Sequence, residues 1–295
     1  MARNDALPPV GEQDDNGFDG LAGGPEGDKP MAFLDHVGEL RARLLRMVLG
    51  IAIGFFGCFY FVPQISAFLR IPLHDAWSAA GREGIPELQA LQIQDPLMVD
   101  VRVAIAAGIF VTAPWLFWQI WLFIAPGLYA REKRFAIPFV LTSVLMFVLG
   151  AAFAFTVVLP FIYEWMINYS QGRGEAIQLE LNNYFKGVTR VLLAFGVVFE
   201  FPLLIAFLAK AGVVTEKVLL RFWKIAVLLM FVFAAFLTPP EPVSQLLMAG
   251  PMVVLYFVSV GVAWLINPAA KVEAALALYD VDDDDDDDSD DSGDE

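Results

Sequence analysis

The chain has 295 residues, 58% of them hydrophobic and 18% charged, with a mean hydropathy of +0.60. A soluble domain carries about 45–50% apolar residues, so the composition excludes an ordinary soluble fold and points to a polytopic membrane protein. The formal net charge of −15 belongs to the ends: residues 280–295 hold 12 acids and no base, residues 1–30 hold 7 acids and 2 bases, and +2 remains for 31–279.

In chain order, residues 1–30 are rich in Gly, Asp and Pro and read as a disordered acidic tail. They have neither the basic n-region of a signal peptide nor the Arg-rich character of a transit peptide. Residues 31–268 form the membrane domain, with six apolar segments that suit a hydrocarbon core of about 30 Å. The first is roughly 43–62, ending at Pro63, and the second roughly 99–123, containing Pro114. The third, roughly 135–165, is long enough to tilt or to leave the bilayer. The fourth runs from Val188 to Ala209, the fifth from Phe222 to Leu237, and the sixth over roughly 243–266, with "GP" at 250–251 as an interruption. The fifth and sixth spans read as short, which implies local thinning or a shielding partner. Residues 269–295 end in an oligo-Asp run and read as a second disordered tail.

Orientation follows from the Lys and Arg residues in the flanks. Eleven lie on the side of Arg41, Arg43, Arg46, Arg131, Lys133 and Arg134, against six on the other. Both termini are therefore expected on the cytoplasmic side, in keeping with an even number of spans. The two long external loops, roughly 63–98 and 166–187, are expected to carry short amphipathic or irregular caps. The fold expected is an all-α polytopic membrane protein with six transmembrane helices.

Four segments stand out. In "LDHVGELRARLL" (34–45), Glu39 and Arg43 have the i, i+4 spacing of a helical ion pair. Glu39 reads either as part of an interfacial helix start or as a docking carboxylate. In "IAPGLYAREKR" (124–134), three bases serve topology, while Glu132 partly cancels them and is the residue that topology leaves unexplained. Phe123 and Tyr129 flank it as amphipathic anchors.

In "FGVVFEFPLL" (195–204), Glu200 lies deep in the fourth span. The 14 Val, Leu, Ile and Phe residues between 188 and 209 contribute roughly −6 kcal/mol to insertion, against roughly +3 for the acid, so the helix still inserts. Pro202 is expected to kink it. Glu200 is then either a protonated side chain hydrogen-bonded inside the bundle or a functional group. In "LTPPEPVSQLL" (237–247), Glu241 marks an external turn, and Gln245 has a glutamine's capacity to bond a neighbouring helix. Intramolecular and intermolecular use of Gln245 are both open.

Cys58 is the single cysteine, so no intramolecular disulfide can form. His36 and His74 show no ligand spacing, and no P-loop, HExxH or GxSxG motif occurs. No cofactor, metal or nucleic-acid partner is expected, and no enzymatic activity.

The segments "HVGELRARLL", "FWQIWLFIAPGLYAREKR", "AFGVVFEFPL" and "LTPPEPVSQ", in this order on six spans, resemble the signature segments of the TatC family, the receptor subunit of the twin-arginine protein translocase. The resemblance covers about 31–268. It implies a receptor that binds twin-arginine signal peptides and recruits TatA- and TatB-type single-span partners. Folded cargo then crosses the inner membrane of a prokaryote at the expense of the protonmotive force. It further implies that Glu39 and Glu132 contact the arginine pair, with Phe123, Leu128 and Tyr129 shaping the site, and that several copies assemble in one complex. By the same resemblance Pro72, Gln245 and Glu241 are residues of partner contact, and Glu200 is the polar residue of the fourth span. Two departures stand out: Ala130 where a basic residue is common, and Glu241 where Asp is common. The acidic tails are not family features. The competing reading from the residues alone is a proton-coupled secondary transporter using Glu200, although no inverted repeat is visible.

Overall fold

A chain this apolar must satisfy its backbone hydrogen bonds within each segment, and the helix is the only single-segment solution in lipid. The structure is a computed structural model that describes residues 33–124, 136–174, 177–210, 212–237 and 242–266. Six helical stretches among these residues are long and apolar enough to cross a membrane. The tails and the loops carrying Leu128, Tyr129, Glu132 and Glu241 lie outside the described residues. By internal contacts the chain divides after Ala42, so residues 33–42 are described by themselves. They form the first turns of helix α1 (Phe33–Phe59).

The segment between spans 1 and 2 holds two short helices, α2 (Val62–Leu69) and α3 (Ile71–Ala79), each with proline in its first turn. Proline is tolerated there because that turn has no intrahelical acceptor for its missing N–H. Span 2 is α4 (Asp95–Ile124), which continues through Pro114. Span 3 joins α5 (Ala136–Phe153), a π-helical turn (Ala154–Val158) and α6 (Leu159–Gly172). The widened turn falls just ahead of Pro160, which has no N–H to give to the carbonyl of Thr156. At 36 residues, Ile137–Gly172 extends about 54 Å, well beyond a bilayer core, and the overhanging α6 packs on α3.

Span 4 is α7 (Leu181–Phe199) followed by α8 (Phe201–Lys210), and span 5 is α9 (Glu216–Leu237). Span 6 is α10, continuous from Pro242 to Ile266 with Pro251 inside it. The interruption expected at "GP" is therefore absent. Spans 5 and 6, of 22 and 25 residues, are shorter than spans 2, 3 and 4. The helix of span 5 nonetheless begins six residues before the apolar run, and its first two turns carry Glu216, Lys217 and Arg221.

The helix α7 is the centre of the bundle. Its Phe185, Val188 and Phe195 are fully buried, together with Val103 and Ala104 of α4 and Ala154 of the π turn. Glycines set the closest approaches. A Cβ on Gly150 of α5 would meet the Phe195 carbonyl and lie 2.8 Å from Phe199, and one on Gly196 would lie 2.6 Å from the Phe147 ring. Similarly, a Cβ on Gly54 would lie 2.8 Å from the Gly108 carbonyl, where α1 crosses α4. The helix α10 packs on α8 and α9, whereas α9 is the least covered of the spans, with only 6% of its apolar window buried.

The segments between spans 1 and 2 and between spans 3 and 4 meet through a two-residue parallel pairing of β1 (Leu88–Gln89) with β2 (Leu179–Glu180). Asp95 and Asn182 join the same two segments. The Asp95 carboxylate is 2% exposed and accepts from the backbone N–H of Leu91 (3.0 Å) and Gln92 (2.8 Å). It also receives the Asn182 side-chain amide at 3.4 Å. Arg102 donates to the Asn182 side chain (2.6 Å) and backbone carbonyl (3.2 Å).

Candidate functional site

Polar side chains inside an apolar bundle need internal partners, so each one marks either a structural bond or a working group. On the side of the termini, Gln119 of α4 is 2% exposed, and its carbonyl oxygen accepts from Arg43 of α1 at 3.5 Å. One turn along, the Trp115 indole N–H donates to the Arg46 carbonyl at 3.3 Å. Gln119 was not among the residues singled out in the sequence. Its signal was there, as the lone amide in the run "FWQIWLF".

Glu39 is half-buried in the unit of residues 33–42, and Phe123 is half-buried near the end of α4. Glu132, Leu128 and Tyr129 lie outside the described residues, so the structure does not bear on whether Glu39 and Glu132 share a site.

Span 4 breaks at Glu200. Its N–H bonds the Val197 carbonyl at 3.1 Å, a tighter turn than the α-helix, and its own carbonyl accepts from Leu204 at 2.8 Å. Pro202 cannot supply the bond that would carry α7 smoothly into α8. The side chain faces the Ser143 hydroxyl and the backbone of Phe147 on α5. Glu200 Oε1 and Ser143 Oγ are both enclosed and short of hydrogen-bond geometry. Ser143 is 1% exposed. It escaped the sequence reading because a serine in an apolar run is unremarkable until a carboxylate faces it.

Gln245, one turn into α10, donates from its side-chain nitrogen to the Phe231 carbonyl of α9 at 2.9 Å. It therefore serves an intramolecular bond. The same residue also borders an open groove of about 380 Å³ with Leu228, Phe231, Val232 and Phe236. Pro72 is fully buried at the start of α3, so any effect it has on a partner passes through the placement of that helix. Glu241 is outside the described residues.

An apolar cavity of about 620 Å³ lies among α1, α2, α4, the π turn and α7, with Cys58, Phe68, Phe110, Phe155 and Leu192 in its wall. No charged side chain lines it, so it offers room for hydrocarbon and none for a hydrated ion. Among the described residues, no group of three or more His, Cys, Asp or Glu is placed to hold a metal ion.

Six apolar spans, a proline-broken fourth span with a carboxylate at the break, and glycine-spaced crossings define an all-helical polytopic membrane protein. The family described as "Sec-independent protein translocase protein (TatC)" matches residues 35–251, and the chain belongs to it. It is 40% identical over 236 residues to the TatC protein of Helicobacter pylori strain J99, covering 80% of this chain and 90% of that one. It is 38% identical over 236 residues to the TatC protein of Campylobacter jejuni, covering 80% and 95%. A crystal structure of the twin arginine translocase receptor TatC superposes with a TM-score of 0.71 at 33% identity, covering 78% of this chain and 99% of that one.

Proposed function

We propose that this chain is the signal-peptide receptor of a twin-arginine export system in a prokaryotic inner membrane. Both termini then face the cytoplasm, and the protein has no enzymatic activity of its own. The observation that carries the reading is the match to a solved translocase receptor at 33% identity, over 78% of this chain and 99% of that one. Glu39 and Glu132 are proposed as the carboxylates that meet the arginine pair, with Phe123, Leu128 and Tyr129 around them. Charge-assisted bidentate pairing is strong and suits the planar fork of arginine better than the point charge of lysine. That difference gives a physical basis for discriminating an Arg–Arg from a Lys–Lys signal.

TatA- and TatB-type single-span helices are the proposed partners. The groove beside Gln245 and the thinly covered face of α9 offer them a place, with Glu241 at its external end and Pro72 acting through α3. Several copies of the chain assemble in the active complex, and the protonmotive force drives transport. The uncharged cavity among α1, α2, α4 and α7 weighs against the proton-coupled solute transporter.

The test is export of a folded reporter bearing a twin-arginine signal in cells that lack their own receptor. This chain restores export, and Glu132→Gln and Glu39→Gln each abolish crosslinking of the signal peptide while the protein still accumulates in the membrane. Intact crosslinking in both variants refutes the site. In the same assay, Glu200→Leu reduces export without reducing crosslinking, since Glu200 belongs to the fourth span and not to the two segments proposed to meet the signal peptide.

A further inference from the structure

We propose that a furrow between α1 and α4, headed by Arg46, binds one acidic phospholipid. The furrow has a volume of about 320 Å³ and is lined by Arg46, Leu49, Gly50 and Ile53 of α1 and by Thr112 and Trp115 of α4.

Its existence depends on Gly50. A Cβ there would sit 2.7 Å from Trp115 Cδ1, so any larger residue would fill the space or displace the indole. The indole is held as a wall by its bond to the Arg46 carbonyl. The Thr112 hydroxyl donates to the Gly108 carbonyl at 2.7 Å. Both side-chain donors of the wall are thus satisfied within the protein. Below Arg46, the furrow presents only hydrocarbon to an occupant.

Its head is charged. Arg46 is exposed, and no acid pairs with it among the described residues. Arg43, on the neighbouring turn, is turned to Gln119. The apolar run of α1 starts at Met47 and continues to the end of the helix at Phe59, giving about 20 Å of helix against a hydrocarbon core of about 30 Å. Arg46 therefore sits at the edge of the hydrocarbon, where a cation reaches for headgroups and gains most from an anion. A guanidinium at headgroup depth over an apolar trough two turns long matches an amphiphile with an anionic head and an acyl tail. Leu49 (61% exposed), Ile53 (66%) and Trp115 (46%) leave the furrow open sideways to lipid, so an acyl chain enters without any helix moving. An acidic phospholipid is favoured over a zwitterionic one because the leaflet facing the basic flanks carries the anionic lipids. This last step rests on the orientation proposed above.

The experiment uses the full chain purified in a neutral detergent, with phosphatidylglycerol, phosphatidylcholine and inorganic phosphate as separate probes. Bound lipid is counted by native mass spectrometry. Phosphatidylglycerol binds the parent about fivefold more tightly than it binds Arg46→Gln, the factor contributed by one arginine near an anionic surface. Phosphatidylcholine binds both alike, and inorganic phosphate does not displace the lipid. The unfolding midpoint of Arg46→Gln without lipid equals the parent's, since the side chain is exposed. Equal phosphatidylglycerol binding by the two proteins overturns the proposal, as does displacement by inorganic phosphate. A photocrosslinker at Ile53 in native membranes labels lipid. Labelling of a second copy or of a single-span protein instead makes the furrow a helix-docking site and also overturns the proposal. None of these readouts depends on export, so the receptor reading and this one fail separately.

Discussion

Replacing Asp95 by alanine tests whether the end of the bundle that carries the β1–β2 pairing is held by one buried carboxylate. Asp95 is 2% exposed. It takes the N–H groups of Leu91 and Gln92 at 3.0 and 2.8 Å, and the amide of Asn182 at the longer distance of 3.4 Å. A bond to a charged acceptor has a net value of about 1.5–3 kcal/mol, and a donor left unsatisfied costs about 1–3. Truncation opens a space that water can enter, so part of the loss is recovered and the two short bonds together come to about 3 kcal/mol. A domain of this size shifts by about 2–4 °C per kcal/mol, which gives a fall of about 6–12 °C in the unfolding midpoint of the detergent-solubilised protein. Asp95→Asn keeps an acceptor oxygen and falls by less than half as much. In a double-mutant cycle, Asn182→Ala couples to Arg102→Ala more strongly than to Asp95→Ala, because the Asn182 side chain bonds Arg102 at 2.6 Å and Asp95 only at 3.4 Å. If Asp95→Ala unfolds within about 2 °C of the parent, the carboxylate is not what closes this loop, and the reasoning fails.

Two further substitutions probe the bundle. Gly150→Ala places a Cβ against the Phe195 carbonyl and the Phe199 ring. It costs about 1–3 kcal/mol by overpacking, read as a lower unfolding midpoint. Gly57→Ala, with nothing within 4 Å of the added carbon, instead leaves the midpoint unchanged or raises it through better helix propensity. Gln245→Leu removes the bond to the Phe231 carbonyl and costs about 0.6–1.7 kcal/mol, a drop of a few degrees in the same measurement. If Gln245 also contacts a partner helix, as proposed, crosslinking to that helix falls in membranes where the variant is fully folded.

The spans were legible because hydropathy over about 20 residues is a strong signal and the bilayer fixes the length. The break at Glu200 was legible from Pro202, since a missing N–H in mid-helix has one local consequence. The same logic failed at Pro251, where α10 runs on unbroken. Proline removes a bond but does not by itself end a helix whose neighbours, α8 and α9, hold both halves in line. Hydropathy also misjudged the start of α9. Glu216 is 7% exposed, and the helix opens with the Leu219 N–H bonded to the Thr215 carbonyl at 3.1 Å, inside a charged stretch that the apolar run excludes. The β1–β2 pairing was beyond reach for another reason. Two residues cannot show a period, and their partners lie some 90 positions apart in sequence.

For the functional residues, the sequence pointed to single side chains, and the structure supplies their neighbours only in part. Glu200 was visible as a charge in an apolar run, yet its meaning depends on what it faces. The hydroxyl of Ser143 and the backbone of Phe147 come from a helix some fifty residues earlier. The Ser143 hydroxyl can donate and the Glu200 carboxylate can accept, and both are enclosed, where a polar group without a partner is costly. One serine in an apolar run and one acid far along the chain do not reveal that they face each other, because their meeting depends on how α5 packs against span 4.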